Sequence, residues 1–370
     1  MMQRDHAMTG LLQCLQAVLL LLAAACAVAS GASAQEPFYK GKRLTVMVNF
    51  APGGSTDIEG RLFARHIAKH IDGQPAVIVQ NMDGAGGLNG TAYVGEVAPK
   101  DGSMLGFLGG AAWQYASEPE RHRVDLRTYE FIAYQPGTTV YYVRSDVAPG
   151  MKQATDIAKA QGLIAGGNGV HNARDLIIRL TLDILGVPHQ YVTGFRSGQT
   201  VRLALQRGEV NFFAEPASAY RGAVEAQLVK PGVAIPVYFD PTYNGDTLTV
   251  SKQADGLDLL PFQELYRKVK GAPPSGQLWD VYLTVLSLTS AMGRVVALPP
   301  GAPPQAVAAL RTAVTRLNHD PAFAEEAVKA IGFAPDFEAG PETNRQVRRA
   351  LVVKPEIRTF VADYIKSASK

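Results

Sequence analysis

The sequence predicts an α/β protein made of repeated strand–loop–helix units. Three observations carry this reading. Short β-branched apolar runs alternate with stretches whose apolar residues recur at helical spacing. Glycine-rich turns separate one kind of run from the other. The rhythm also restarts mid-chain, near Val140, without repeating the earlier sequence. Such alternation implies parallel strand pairing with helices covering both sheet faces.

The first unit opens with Leu44–Phe50, bounded by Gly41 and by Pro52-Gly53-Gly54, which reads as a buried strand ending in a tight turn. Ile58, Leu62, Ile67 and Ile71 then form a helical stripe that Gly73-Gln74-Pro75 stops. Thr56 with Glu59 three residues on has the form of a capping box, and Asp57 adds negative charge to the first turn. Ala76–Val79 reads as a second buried strand, followed by Gly84-Ala85-Gly86-Gly87 and a helix to about Val97. Met104–Leu108 is a third strand, ending at Gly109-Gly110. The second series runs from the strand at Val140–Val143 through Leu163–Ala165, a helix carrying Leu176, Leu180 and Ile184, the strand Gln190–Val192, a helix over Val201–Gln206 and the strand Glu209–Phe213. Asp240–Gly276 is polar and turn-rich, with a turn at Asn244-Gly245. Pro303-Pro304 opens a helix that Asp320-Pro321 breaks, and Ala322–Ile331 is another helix.

The first 34 of the 370 residues read as an export signal. Arg4 precedes an apolar core from Leu11 to Val28, and Ala32-Ser33-Ala34 is an A-x-A cleavage pattern that leaves Gln35 first in the mature chain. Retention as an anchor and acylation at Cys26 are the competing readings. The two cysteines, Cys14 and Cys26, both lie in this segment, so a processed product has no thiol for disulfides, zinc ligation or nucleophilic attack. A net charge of +3 from 36 basic and 33 acidic residues gives no case for nucleic-acid binding, and 47% hydrophobic with 19% charged residues is a globular composition.

The turn Gly53-Gly54-Ser55-Thr56-Asp57 lies between a buried strand and a helix start. It would present backbone N–H groups and the positive end of a helix dipole, a setting suited to a carboxylate or phosphate without any Lys or Arg. Ligands of parallel sheets bind at the carboxyl ends of the strands, where this loop falls. The same glycines would also serve simply to make the turn. Gly84–Gly90 offers a second such loop through Gly86 and Gly87, and it fits neither a P-loop nor G-x-G-x-x-G. Phe50 and Trp113, at predicted strand ends, are either cleft walls or core. Arg196, in Thr193-Gly194-Phe195-Arg196-Ser197-Gly198, is the cation expected near a ligand, since arginine grips a carboxylate bidentately. His66 and His70 share a helix face but lack the Glu of H-E-x-x-H, which favours a solvated face, as for Glu325-Glu326. No G-x-S-x-G elbow occurs. His171, beside Gly166-Gly167-Asn168-Gly169, and Glu215 are the residues an acid–base enzyme on this scaffold would use.

Several ordered blocks make the chain resemble a known family. Phe50-Ala51-Pro52-Gly53-Gly54-Ser55-Thr56-Asp57, Val79-Gln80-Asn81-Met82-Asp83-Gly84-Ala85-Gly86-Gly87 and Ala98-Pro99-Lys100-Asp101-Gly102 are similar to the solute-binding receptors of tripartite tricarboxylate transporters, the Bug family. Thr193-Gly194-Phe195, Leu203–Val210, Leu298–Pro303 and Asn318–Pro321 continue the resemblance. It implies a bilobal, type II periplasmic-binding-protein-like fold closing on its ligand like a Venus flytrap. On that scheme residues 35–138 begin the first lobe, 139–237 form the second and 238–370 return to the first with C-terminal helices, with crossings near Tyr134–Val140 and Val233–Asp240. It also implies a small organic acid as ligand, a two-component membrane permease as partner, no cofactor and no catalysis. Ser55, Thr56, Gly86 and Gly87 inherit a role in carboxylate binding. The second lobe departs from the family pattern: Val192–Gly198 displaces the aromatic to Phe195 and lacks the lysine, and Gly166–His171 replaces the usual G-x-G-S segment. Specificity therefore does not transfer with the resemblance, and an enzyme or a sensory subunit on the same scaffold remains open.

Overall fold

The computed structural model describes residues 36–110 and 112–367, the side chains of 121, 290, 291 and 367 excepted. The expected signal segment, its cleavage point and both cysteines lie outside the described residues. Two sheets organise the chain. β1 (Arg43–Val48), β2 (Ala76–Asn81), β3 (Met104–Leu108), β4 (Glu130–Gln135), β12 (Arg294–Leu298) and β13 (Glu338–Ala339) form a six-stranded sheet in the order β13-β4-β12-β3-β1-β2. β5 (Thr139–Arg144), β6 (Leu163–Gly166), β7 (His189–Val192), β8 (Phe212–Pro216) and β9 (Ala234–Phe239) form a five-stranded sheet in the order β7-β6-β8-β5-β9.

Both sheets are mixed rather than wholly parallel. β1 pairs parallel with β2 and β3, but β12 runs antiparallel to β3 and β4. In the second sheet β6 is parallel to β7 and β8, while β5 is antiparallel to β8 and β9. In each sheet a strand from the chain's later or earlier passage thus enters against the βα rhythm. β2 is not the buried strand its apolar run predicts. It is the edge of the first sheet and alternates in exposure, with Ile78 46% exposed. An apolar run cannot reveal that one side of the strand has no neighbour.

Helix α1 (Ser55–His70) buries Leu62, Phe63 and Ile67 against the first sheet, while Ile58 stays exposed. α2 (Leu88–Glu96) and α3 (Ala112–Ser117) belong to the opposite side, whose core includes Met47, Val94, Leu108, Trp113 and Tyr115. In the second sheet α4 (Ala173–Leu185) starts at an Asn172 cap and ends at Gly186, and α5 (Gly198–Arg207) starts at a Ser197 cap and ends at Gly208. These caps match the rule that Ser and Asn begin helices and glycine ends them.

The stretch after β9 holds more regular structure than its polarity predicts. Asn244-Gly245 turns a two-stranded hairpin of β10 (Thr242–Tyr243) and β11 (Leu248–Thr249). α6 (Phe262–Lys270) and α7 (Gln277–Ala291) follow before the chain enters the six-stranded sheet at Arg294. α7 has Val281, Tyr282, Val285, Leu286 and Leu288 wholly buried, in one apolar core with residues of both sheets such as Leu108 and Tyr141. α8 (Pro304–Leu317) and α9 (Pro321–Ile331) cover the other face of the first sheet beside α1, and α10 (Pro341–Ala350) and α11 (Pro355–Ser367) finish the chain. Among the described residues no helix is long and apolar enough to cross a membrane.

Candidate functional site

The loops that follow β1, β2 and β3 meet at one edge of the six-stranded sheet, and Asn49 holds them together. Fully buried at the end of β1, its Oδ1 accepts from the Gly109 N–H at 2.9 Å. Its Nδ2 donates to the Gly87 carbonyl (3.0 Å), the Gly109 carbonyl (2.9 Å) and Thr91 Oγ1 (3.1 Å). Gly87 must be glycine here: its φ is +97°, and a Cβ would lie 2.6 Å from Asn49 Nδ2. The Phe50 ring is half-buried against Gly87 and Gly110, which makes it a wall of this edge.

Asp57 locks the first loop. Its Oδ2 accepts from the Gly53 N–H (2.8 Å) and from Arg61 Nε (2.9 Å), and its Oδ1 accepts from Asn81 Nδ2 (2.7 Å). Burial raises its pKa, but these donors and the Arg61 charge outweigh burial and hold the carboxyl below its ordinary value. Asp57 is therefore turned inward, its carboxylate engaged by the protein's own donors. The capping box predicted for Thr56 and Glu59 is not formed. Gly54 is the N-cap and brings no side-chain cap, Thr56 lies inside the first turn, and Glu59 pairs with Arg294 instead. The start of α1 thus keeps its dipole and first-turn N–H groups uncapped by side chains, with the Ser55 hydroxyl half-exposed beside them. Gly86, with φ +65°, belongs to the neighbouring loop.

At the five-stranded sheet the corresponding loop is already filled. Asp175 Oδ2 accepts from the N–H groups of Asn168 (2.5 Å) and Gly169 (2.8 Å) and from the Tyr191 hydroxyl (3.0 Å). Burial pushes this carboxyl up, opposed by the Arg174 charge and the two backbone N–H groups. Asn168 donates from Nδ2 to the Phe195 carbonyl (2.7 Å) and accepts from Arg174, tying the second-sheet loops together. Thr193 and Arg196 are exposed, and Phe195 is half-buried. His171 is exposed, with Nδ1 4.0 Å from Glu118 Oε1.

Two expected cleft residues lie elsewhere. Trp113 is 1% exposed and packs in the apolar core. Glu215 is buried, ion-paired with Arg202 at 2.5 Å and accepting from the Tyr142 hydroxyl at 2.9 Å. Each of its carboxylate oxygens thus already holds a donor from within the five-stranded half. The histidines are not on a solvated face either. His66 is buried and contacts Glu326 at 2.7 Å, His70 contacts Asp320 at 3.0 Å, and Glu326 also pairs with Arg65, so α1 is clasped to α9. Burial opposes a fall in the Asp320 pKa, but the hydrogen bond from His70 outweighs it and holds the carboxyl at about 2. No group of three metal-ligating side chains occurs among the described residues.

The two halves approach at Gly86, where a Cβ would come within 3.8 Å of Asn172 Nδ2. They also meet where the Ser218 hydroxyl donates to Glu59 Oε1 at 2.7 Å. Sequence reading missed Asn49, Asp175 and Arg294. Of these, Asn49 carries a local signal, since it interrupts an apolar run.

No family model matches the chain. Over 91 residues it is 42% identical to protein BugT of Bordetella pertussis, covering 25% of this chain and 27% of BugT. Over 156 residues it is 32% identical to a UPF0065 protein of Agrobacterium vitis, covering 40% of this chain and 43% of that protein. The matched segments thus span less than half the length of either relative. Among solved structures, the periplasmic binding protein BugD superposes with TM-score 0.61 at 20% identity, covering 90% of this chain and 99% of BugD. MatC from Rhodopseudomonas palustris with bound malate gives 0.57 at 18% identity over 89% and 99%. Another R. palustris protein, solved with adipate, gives 0.57 at 16% over 89% and 97%. The chain is thus similar to BugT and the UPF0065 protein over these segments and has the bilobal α/β fold of the periplasmic binding proteins.

Proposed function

We propose that the protein is a periplasmic receptor that captures a small carboxylate and hands it to a two-component membrane permease. The observation that carries this reading is the edge of the six-stranded sheet. There the uncapped start of α1, the Ser55 hydroxyl and the Gly86-Gly87 loop converge around a rigid Asn49 hub. Such a site binds an anion through N–H and hydroxyl donors. The binding of malate and adipate by structures of the same fold supports the ligand class.

On this reading the second sheet, with Asn168, His171, Thr193, Phe195 and Arg196, closes over the rest of the ligand. Closure excludes water and strengthens each hydrogen bond. We place the crossings at Pro136–Thr138 and, instead of near Val233–Asp240, at Met292–Gly293, because β9 belongs to the five-stranded sheet and the chain next enters the six-stranded sheet at β12; Gly137 and Gly293 pack back to back there. The engagement of Glu215 with Arg202 and Tyr142, and the exposure of His171, favour a receptor over an acid–base enzyme.

The test is thermal shift of the purified protein against malate, adipate, citrate, glutamate and benzoate, with recovery of the acid afterwards. A ligand at 100 times its Kd adds about 2.7 kcal/mol of stability, enough to move Tm by several degrees. A shift by one acid, returned unchanged, supports the reading. Consumption of the acid means an enzyme. No shift by any of the five overturns the carboxylate assignment.

A further inference from the structure

A buried polar cluster that includes Arg294 underlies the first loop. Arg294 opens β12, which runs antiparallel to β3, so its side chain sits at the same sheet edge as the loops after β1 and β3. The residue is 8% exposed. Its Nη2 donates to Glu59 Oε1 at 2.6 Å and to the Ser55 hydroxyl at 3.4 Å, and its Nη1 donates to the Gly293 carbonyl at 2.7 Å. Nη1 also lies 3.4 Å from where a Cβ on Gly109 would be, as does Thr56 Oγ1. The guanidinium is therefore directly beneath Ser55 and Thr56. Glu59 is itself buried and shared with Ser218, so it cannot swing away to solvent.

The donor capacity of this cluster is not used up. Arg294 Nε has no hydrogen-bond partner among the described residues. Gln135 lies opposite Arg294 in the β4–β12 register, is 3% exposed, and has neither amide atom paired. Residues directly opposite in an antiparallel pair share a sheet face. Burying such groups is unfavourable unless something satisfies them.

We propose that Arg294 is a specificity-determining residue of the carboxylate site: it supplies the fixed positive charge beneath the Ser55–Thr56 loop, and Glu59 positions and attenuates it. This rests on the carboxylate-receptor reading and deepens it. The site selects anions by a buried guanidinium as well as by backbone N–H groups, and it does so with a charge already half-neutralised. A ligand carboxylate on Ser55 competes with Glu59 for the same guanidinium. The two members of this ion pair consequently act on binding with opposite signs.

That opposition is the test. Affinities of the wild type, Arg294→Gln, Arg294→Lys and Glu59→Gln are measured by calorimetry with malate, adipate, citrate, glutamate and benzoate. A charged hydrogen bond to a ligand is worth about 10–100-fold in Kd. Arg294→Gln is expected to weaken binding by that factor, and Glu59→Gln, which keeps an acceptor for Ser218, to tighten it several-fold. Arg294→Lys keeps the charge, stays within about tenfold of wild type, and serves where Arg294→Gln does not fold. A merely structural ion pair makes both Glu59→Gln and the Arg294 variants weaken binding, and that result overturns the proposal. So does unchanged affinity in Arg294→Gln. If the wild type binds none of the five acids, the carboxylate reading itself has failed, a result distinct from binding that ignores Arg294.

Discussion

At the end of β1 the chain turns through Gly53-Gly54 into α1 with no side-chain cap, and Asp57 takes up only the Gly53 N–H. At the end of β6 the chain turns through Gly166-Gly167 towards α4, and Asp175 takes up the N–H groups of both Asn168 and Gly169. Two glycine-rich loops of similar placement thus differ in occupancy. The first leaves the first-turn N–H groups of α1 without a side-chain cap, while the second is satisfied by the protein's own carboxylate. The acids differ accordingly. Donors win over burial at Asp57, whose pKa falls, and burial wins over donors at Asp175, whose pKa rises. The lesson is that a glycine loop at a sheet edge is an anion site only when the following helix does not carry the anion that fills it.

The largest expected effect comes from emptying the filled loop. Asp175→Ala leaves the Asn168 and Gly169 N–H groups, the Tyr191 hydroxyl and the Arg174 charge without their acceptor. It should cost about 3–5 kcal/mol, as for breaking a buried charged network. Urea unfolding measures it. Formate at high concentration should restore part of the lost Tm by entering the vacated position. Full stability in Asp175→Ala would mean that the second loop was never an anion site, and the comparison would collapse.

The next concerns what joins the two regions. Gly293 packs on Gly137 so closely that a Cβ would lie 2.5 Å from Gly137 Cα and 2.6 Å from its N. Both are backbone atoms of the facing segment and neither can rotate away. Gly293→Ala should destabilise by about 3 kcal/mol, the upper range for overpacking, and should also weaken ligand binding by changing how the lobes meet. Loss of stability without loss of affinity would show that closure does not depend on this contact.

Much of this was legible in the sequence, and the remainder was not for identifiable reasons. The strand–loop–helix order, the caps at Ser197 and Gly186 and the breaks at Gly73 and Pro321 are local events, fixed by short-range sterics and hydrogen bonds. The edge position of β2, the antiparallel entry of β12 and the burial of His66 depend on which distant segment lies alongside. Glu59 shows the difference most sharply. Three residues from Thr56 it has the spacing of a cap, yet an arginine 235 positions away claims it. At the site, the glycine loops could be read because their composition is unusual. Asp175 and Arg294 could not, since an ordinary helix acid and an ordinary strand arginine gain their roles only from the fold.

A third prediction uses pH to separate the two regions. Asp240, at the end of β9, is fully engaged with the hydroxyls of Tyr141 (2.7 Å) and Tyr282 (3.1 Å), and burial pushes it up to about 7. Folding therefore favours its protonated form. The unfolded chain releases the proton near pH 4, so stability falls as pH rises from about 4 to about 7 and is level above that. Asp57 has the opposite sign: its contribution is present above the ordinary carboxylate range and is lost as pH falls below it. Asp240→Asn should remove the decline between about pH 4 and about pH 7 and leave the acid limb in place. Asp57→Asn should do the reverse. A single variant that flattened both limbs would mean that the two regions titrate as one.

The smallest effect should come from Arg196, which is exposed on the second-sheet loop. Its removal has no packing consequence, so Arg196→Ala should leave stability within about 0.5 kcal/mol of wild type. Its influence on binding depends on where closure leaves it. An exposed guanidinium attracts a carboxylate only across solvent, where salt screens it within about 10 Å at 0.1 M. The expected result is a few-fold loss of affinity at low salt that disappears at high salt. Arg294, buried under Ser55, should instead retain its effect at both ionic strengths. If Arg196→Ala loses the same affinity at high salt as at low, Arg196 is enclosed with the ligand, and the second region contributes a charge of its own to a site now assigned to the first.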